Sequence, residues 1–440
     1  MRWIKRFRAP TNAPTNAPTH APPRTTKRQA VALTLLGNFL ETFDFAVYSY
    51  FAVTISLLFF PTHTASTALL LSLSIYGSGL LLRPMGALVF GLYADRQGRR
   101  TALTLSLGLM GLGTLIIACA PTHAQIGVSS SVILLIGRLL QGFSQGGERG
   151  TAITALIEID RVKGRGLRSA LETASSASAG VLGAAVVLTL THVLSPEDII
   201  NGGWRIPFFL GATVVPAGVL LRYKMPDDRP VPNTVTLRQT AQTLKPHAKT
   251  IAWCCWMFYG QVVGFTLAGH YLPVHAMHWL KLDLKDIHWI GLIGSLIVAI
   301  FSPLFGALSD FLSRRKSLVL CGYLILILTF VPAYWTVNHY RSLSACILVA
   351  AILKCFLSLT TAPLAAWVSE LFPGEIRATA TSICYAIPAC VFASVTHVVC
   401  LALTTWSGSL LAPACYVTAC MAISVFALSQ LPETGHTRLR

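Results

Sequence analysis

The sequence predicts an all-α polytopic membrane protein, with twelve transmembrane helices arranged as two pseudo-symmetric six-helix bundles. Three observations predict this fold class. The 440 residues are 54% hydrophobic and only 12% charged, and their mean hydropathy is +0.63, far more apolar than a soluble domain. Apolar runs of about 20 residues recur along the chain, each long enough to cross a hydrocarbon core of roughly 30 Å as a helix. Finally, the second half echoes the first. "GLYADRQGRR" (Gly91–Arg100) returns as "GALSDFLSRR" (Gly306–Arg315), and the separation of Glu158 and Arg165 returns in Glu370 and Arg377. Two matches at nearly the same offset indicate a duplicated six-span unit.

Residues 1–30 are polar, basic and Pro-rich ("TNAPTNAPTHAPP") and lack the apolar core of a cleavable signal, so they are expected to form a disordered tail. The N-terminal bundle occupies residues 31–222, with spans at 31–60, 66–90, 101–120, 131–158, 169–194 and 205–222. Residues 223–249 are the longest polar segment after the tail and read as a linker. The C-terminal bundle occupies residues 250–431, with spans at 250–274, 286–308, 317–336, 343–370, 378–403 and 410–431, and residues 432–440 form a short tail.

The net charge of +17 is dispersed at the ends of the spans rather than gathered into a stripe beside aromatics, which argues against nucleic-acid binding. Alternate connections carry it. One side holds Arg96, Arg99, Arg100, Arg161, Lys163, Arg165, Arg168, Arg222, Lys224, Arg229, Arg238, Arg314, Arg315 and Lys316; the other holds Arg205, Lys281, Lys285 and Arg341. Cytoplasmic loops are enriched in Lys and Arg, so both termini are expected in the cytoplasm. The 11 cysteines include no CxxC pair, and Cys254, Cys321, Cys355, Cys390 and Cys415 lie inside apolar runs, where they read as small buried hydrophobes. His63, His123, His192, His270, His275, His278 and His339 cluster toward span ends without a metal-site spacing and read for the most part as interfacial, with sensing of external pH as the alternative. Neither a metal nor a cofactor is expected, and no Ser/His/Asp constellation suggests an enzyme.

Several spans carry polar side chains that lipid would not tolerate. The first contains Glu41 and Asp44, three residues apart on one face near the bilayer middle. Ionised groups at that depth face cavities and serve functions. Two such carboxylates cannot both ionise cheaply, so one is expected to hold a proton near neutral pH; the alternative for Glu41 is a plain ion pair with a buried arginine. Arg83 in the second span, beside the helix-loosening Pro84, is the expected partner, as a fixed counter-ion or a substrate ligand. Arg138, Gln141, Gln145 and Glu148 follow helical spacing and place a polar stripe on one face of the fourth span. Arg138 suits bidentate grip of a carboxylate, while Gly146 and Gly147 read as close-packing positions. The fifth span offers Glu172 and "TASSASAG", whose serines read as packing or path-lining groups. Lys354 stands at mid-depth in the tenth span, either as a specificity determinant or as a private ion pair. At the loop after the second span, Asp95 is expected to cap a neighbouring helix while Arg96 and Arg99 pair with acids such as Glu158, with Arg100 beside them in the gating group. The second half supplies Asp310, Arg314, Arg315 and Glu370, and with Arg165 and Arg377 these groups read as a breakable latch.

The pattern Gly-x-x-x-Asp-Arg-x-Gly-Arg-Arg at Gly91–Arg100 resembles the signature loop of the major facilitator superfamily. "GNFLETFDFAVYSYFA", "RPMGALVFG", "GRLLQGFSQGGE", "GWRIPFFLG", "SELFPGEIRATATS" and "LPETG" narrow the resemblance to its metabolite:proton symporters, which include citrate, 2-oxoglutarate, shikimate and proline/betaine carriers. These segments span nearly the whole chain after the tail. There are departures. Phe311 and Ser313 replace Arg96 and Gly98 in the second loop, so the second gate is expected to make fewer contacts. Thr42-Phe43 stands where the family often has Trp-Tyr, Arg149 adds a cation, and the chain stops soon after the last span, which counts against osmosensing.

The resemblance implies a secondary transporter of the bacterial inner membrane that moves a small organic anion, citrate or another di- or tricarboxylate, together with protons. Asp44, Glu41 and Glu148 are its expected proton-coupling groups. Arg83, Arg138, Gln141, Gln145, Glu172 and Lys354 are its expected substrate contacts. The acids Glu41, Asp44, Glu148 and Glu172 also permit a zwitterion such as proline or betaine, and a transport-inactive receptor or scaffold is the remaining alternative. The expected partners are the solute, protons and the lipid bilayer, with the protein acting as a monomer.

Overall fold

A computed structural model describes residues 26–60, 75, 77–160, 164–222, 242–282 and 284–435. The expectations for His63, Arg161, Lys163, Lys224, Arg229, Arg238 and most of the N-terminal tail fall on residues outside them. Twelve helices carry the fold: α1 (Lys27–Tyr50), α2 (Arg83–Gln97), α3 (Arg99–Cys119), α4 (Ser129–Glu158), α5 (Arg165–Val193), α6 (Ile206–Arg222), α7 (Ala248–Thr266), α8 (Leu284–Leu312), α9 (Arg315–Tyr340), α10 (Leu343–Glu370), α11 (Arg377–Pro388) and α12 (Ala412–Ser429). α7 and α11 each run through a π-helical turn, Leu267–Tyr271 and Ala389–Ala393, into a further helix, Leu272–His278 and Ser394–Ser407.

Ten helices among the described residues are long and apolar enough to cross a membrane. Two of the twelve spans fall short. The first half of the α2 span lies outside the described residues, and α4 loses hydropathy to its polar stripe and its glycines. The chain is a multi-pass membrane protein.

Local chemistry explains most boundaries. Thr26 and Gln29 form a reciprocal capping box, so α1 starts at Lys27, ahead of the expected residue 31. A turn at Leu82 interrupts the second span immediately before Pro84, as a proline in the first helical turn favours. Between α2 and α3 the chain turns at Gly98, with φ +95°, a conformation glycine adopts without steric cost. The equivalent turn before α9 uses Ser313 at φ +52°, which strains a residue with a Cβ.

Each half has its own apolar core. Phe43, Val47, Tyr48, Phe59, Trp204 and Phe208 pack together in the first, and Met257, Phe258, Tyr323, Phe330, Tyr334 and Trp367 in the second. Glycines let helices touch within the N-terminal bundle: a Cβ on Gly142 would collide with the Gly79 backbone, one on Gly146 with Arg83, and one on Gly147 with Phe90. The bundles meet through α5 against α8, where Gly166 faces Gly306, and through α2 and α4 against α11, where Gly91 faces Thr379 and Gly150 faces Ser382. Large apolar side chains on the outer helices remain exposed, among them Leu112 on α3, Leu328 on α9 and Phe426 on α12. That surface suits lipid.

Two expectations need correction here. Cys321 and Cys415 are exposed on outward helix faces rather than buried, because α9 and α12 turn those positions away from the core. His275 is not interfacial: it is fully buried, bonded to Asn338 at 2.8 Å and packed edge-on against Tyr334.

Candidate functional site

The deepest polar cluster joins α1 to α4. Asp44 and Arg138 are both buried, and their charged groups lie 4.0 Å apart. Gln141, one turn beyond Arg138, joins them: its Oε1 accepts from Arg138 Nη1 at 2.6 Å and its amide donates to Asp44 and, at 3.0 Å, to Thr114 on α3. Below the guanidinium lie two rings, Tyr48 at 3.7 Å and Phe45 at 4.7 Å. Arginine stacks well on aromatic faces, so the arrangement fixes its plane. The cation beside Asp44 is therefore Arg138 and not Arg83 as the sequence suggested. Arg83 lies over the Phe45 ring at 5.4 Å, so the two guanidiniums share that ring as a contact. Gln145 is half-buried, and its Oε1 has no hydrogen-bond partner among the described residues.

A second cluster lies toward the basic side. Arg149 pairs with buried Glu172 of α5 at 3.1 Å and covers the Tyr385 ring of α11 at 4.8 Å, so it reaches from one bundle to the other. Glu41 is buried within electrostatic range of Arg149. Glu148 turns elsewhere. It accepts from the Ser106 hydroxyl on α3, so the structure does not bring it to Asp44. The α5 serines behave as packing groups: Ser175 donates to the Leu35 carbonyl at 2.8 Å, and Ser176 bonds Asn38 and Thr42 of α1.

In the C-terminal bundle, Lys354 is buried on α10, with its amine 4.2 Å from the Phe265 ring centre and 3.4 Å from the Phe265 carbonyl. His270, in the π-helical turn after α7, and His397, beyond α11, bring their rings to 6.4 Å.

At the basic face the two halves exchange contacts reciprocally. Asp95 accepts from the backbone of Ala378 and Thr379, at 3.1 and 2.9 Å, and caps α11 in the other bundle. Asp310 accepts from Gly166 and Leu167, both at 2.8 Å, and caps α5. A carboxylate there meets unpaired N–H groups and the positive helix end. Glu158 holds Arg377 at 2.7 Å and Arg99 at 3.3 Å; Glu370 holds Arg315 at 2.9 Å and Arg165 at 3.2 Å. Within each half, Arg99 pairs with Asp95 at 2.7 Å and Arg315 with Asp310 at 3.3 Å.

The second set is not poorer than the first, because Arg315 also donates to Ser309 at 3.0 Å and Thr434 donates to Glu370 at 2.6 Å. The turn before α9 is one residue longer, so Arg315, and not Arg314, takes the place of Arg99. Arg314 is exposed and makes no ion pair among the described residues. Arg96 and Arg100 lie half-buried beside the latch. Sequence reading missed Phe45, Tyr48, Thr114, Tyr385 and His397. Phe45 and Tyr48 stand one and four residues after Asp44, on the face that meets α4, which is the signal that would have found them.

Comparison with known proteins bears on the family and the fold. Residues 30–229 match the family described as Sugar (and other) transporter, and residues 264–438 match the Major Facilitator Superfamily. The chain is 31% identical to the citrate-proton symporter of Klebsiella pneumoniae, covering 87% of each protein. It is 32% identical to the alpha-ketoglutarate permease of Escherichia coli, over 83% of this chain and 85% of that one. It is 27% identical to the proline/betaine transporter of Salmonella typhimurium, over 94% of this chain and 85% of that one. Among solved structures, the proton:xylose symporter XylE superposes with a TM-score of 0.73 at 18% identity, covering 94% of this chain and 97% of that one, a likeness of fold. The chain belongs to the major facilitator superfamily, in its branch of metabolite:proton symporters.

Proposed function

We propose that the protein is a proton-coupled symporter of a small organic anion, citrate or another di- or tricarboxylate, working by alternating access in the bacterial inner membrane. The observation that carries this reading is the buried Asp44–Arg138 pair bridged by Gln141. An ion pair at that depth is costly to keep, and its two charges compete for each other and for ligands. Protonating Asp44 releases Arg138 to bind a substrate carboxylate, and substrate then replaces the carboxylate the proton has neutralised. Proton and anion enter together because each removes the charge the other would leave unpaired.

In this reading Asp44, Glu41 and Glu148 serve proton coupling, while Arg83, Arg138, Gln141, Gln145, Glu172 and Lys354 shape the substrate path. The basic face is cytoplasmic, as are both termini. Residues 31–222 and 250–431 rock as two bodies joined by the linker at 223–249. The groups Asp95, Arg96, Arg99, Arg100, Glu158, Arg165, Asp310, Arg315, Glu370 and Arg377 form the cytoplasmic gate; with its ion pairs made, that side is closed.

A second reading has one observation in its favour. Arg149 is matched by Glu172, and Arg138 by Asp44, so these two cations of the N-terminal bundle are balanced, as a site for a zwitterion such as proline or betaine requires. Uptake of labelled citrate and labelled proline into proteoliposomes, each with and without an inward proton gradient, separates the two. Gradient-driven accumulation of citrate supports the anion reading. Accumulation of proline alone overturns it.

A further inference from the structure

The internal repeat isolates one side chain for which packing gives no reason. Gly294 follows Gly79 at the offset of 215 that relates Gly306 to Gly91, and Lys354 follows Gly142 at the offset of 212 that relates Glu370 to Glu158. In the N-terminal half, Gly142 and Gly79 touch backbone to backbone and close the crossing of α4 with the second span. In the C-terminal half, the same crossing of α10 with α8 holds a lysine, whose stem lies over Gly294 and whose amine lies against Gly269 of α7. A Cβ on Gly294 would come to 3.4 Å from Lys354 Cγ, and one on Gly269 to 2.5 Å from its Nζ. Two glycines thus leave room for a cation where the other half has none.

That cation is 8% exposed and has no carboxylate partner among the described residues. Its contacts are a ring face and one long bond to the Phe265 carbonyl. An ammonium has three donors and is expensive to bury without an anion to satisfy them. The surroundings add donors rather than acids. His270, next to Gly269, stands within electrostatic range of Lys354 and 6.4 Å, ring to ring, from His397. His270 itself is exposed, on the π-helical turn that continues α7 and near His397 of the α11 span. Both of those spans make their π-helical turns here, at Leu267–Tyr271 and Ala389–Ala393. Such turns re-aim side chains and occur frequently at functional sites.

We infer that Lys354, His270 and His397 form a carboxylate subsite of the C-terminal bundle, so that the transported anion carries at least two carboxylates, one held by Arg138 and one by Lys354. This rests on the organic-anion reading and sharpens it: the substrate bridges the bundles, and a monocarboxylate or a zwitterion fills only half of the site. Phe265 fixes the lysine over its ring while the substrate is absent, and the imidazoles supply N–H donors beside it.

The test is equilibrium binding of labelled citrate and labelled 2-oxoglutarate to purified protein in lipid nanodiscs, with proteoliposome uptake alongside. Lys354→Met is expected to weaken both ligands by at least about 30-fold, the loss seen when one partner of a buried charge pair is removed. KM should rise more than the maximal rate falls, and Lys354→Arg should recover most of the affinity. Ala at His270 or His397 is expected to give smaller losses. A thermal unfolding midpoint close to wild type establishes that Lys354→Met is folded; if it is not, Lys354→Gln reads the same loss. Wild-type citrate affinity in a folded Lys354→Met or Lys354→Gln protein overturns the subsite and leaves the anion symporter standing. If the wild-type protein binds neither citrate nor 2-oxoglutarate but accumulates proline under a proton gradient, the subsite and the anion reading fall together.

Discussion

Glu158, the last residue of α4 in the N-terminal bundle, holds Arg377, the first residue of α11 in the C-terminal bundle, at 2.7 Å. The opposite exchange, Glu370 with Arg165 at 3.2 Å, is related to it by the internal repeat. Because each acid also holds an arginine of its own half, one carboxylate ties three helices together. Glu158→Gln removes the anion and leaves Arg377 and Arg99 short of a partner, a loss of about 2–5 kcal/mol at the interface between the bundles. In a protein stripped of its own cysteines, a single cysteine placed at Ser382, which packs on Gly150 beneath the latch, should react faster with a water-soluble maleimide once Glu158→Gln is added. The double exchange Glu158→Arg with Arg377→Glu should slow the reaction again. Labelling of the Glu158→Gln protein at the rate of its parent would remove this pair from the gate.

The turn before α9 should be improvable. Ser313 has φ +52° where the first half uses Gly98 at +95°. Relieving the left-handed strain with Ser313→Gly should stabilise the protein by roughly 1 kcal/mol, read as a higher midpoint in thermal unfolding of the detergent-solubilised protein. An unchanged or lower midpoint would mean that this turn stores no strain.

Glycine substitutions should divide by what stands opposite them. At Gly146 a methyl group meets the Arg83 backbone, whereas at Gly108 on α3 nothing lies within 4 Å. Gly146→Ala is expected to cost about 1–3 kcal/mol through overpacking, and Gly108→Ala is expected to be neutral or stabilising by up to about 1 kcal/mol through helix propensity. Thermal unfolding of the two variants side by side checks the contrast, and equal midpoints would contradict the close approach of α2 and α4.

The architecture and the latch were legible in the sequence for a physical reason. Membrane spans must be apolar along their whole length, so each charge inside one stands out, and a duplication leaves matched charges at matched ends. Asp95, Glu158, Asp310, Glu370, Arg165 and Arg377 were all visible in this way. Partnership was less legible, because it depends on the rotation of one helix against another. Asp44 meets Arg138 on α4, while Arg83 shares only the Phe45 ring with Arg138, and no spacing within α1 states which span it will face. One residue more in a turn made Arg315, and not Arg314, the gate arginine. The approach of His397 to His270 follows a π-helical turn in each span, and such turns shift every later side chain around the helix without leaving a mark in apolar periodicity.

The central claim is that Asp44 couples protons to anion movement by releasing Arg138, and proton flux tests it most directly. Labelled citrate uptake and the internal pH of proteoliposomes would be followed together for the wild type and Asp44→Asn. The account predicts that citrate entry acidifies the lumen of wild-type vesicles. In Asp44→Asn vesicles citrate should still exchange across the membrane, without acidification and without accumulation under a proton gradient. Acidification and gradient-driven accumulation at wild-type levels in Asp44→Asn would contradict it.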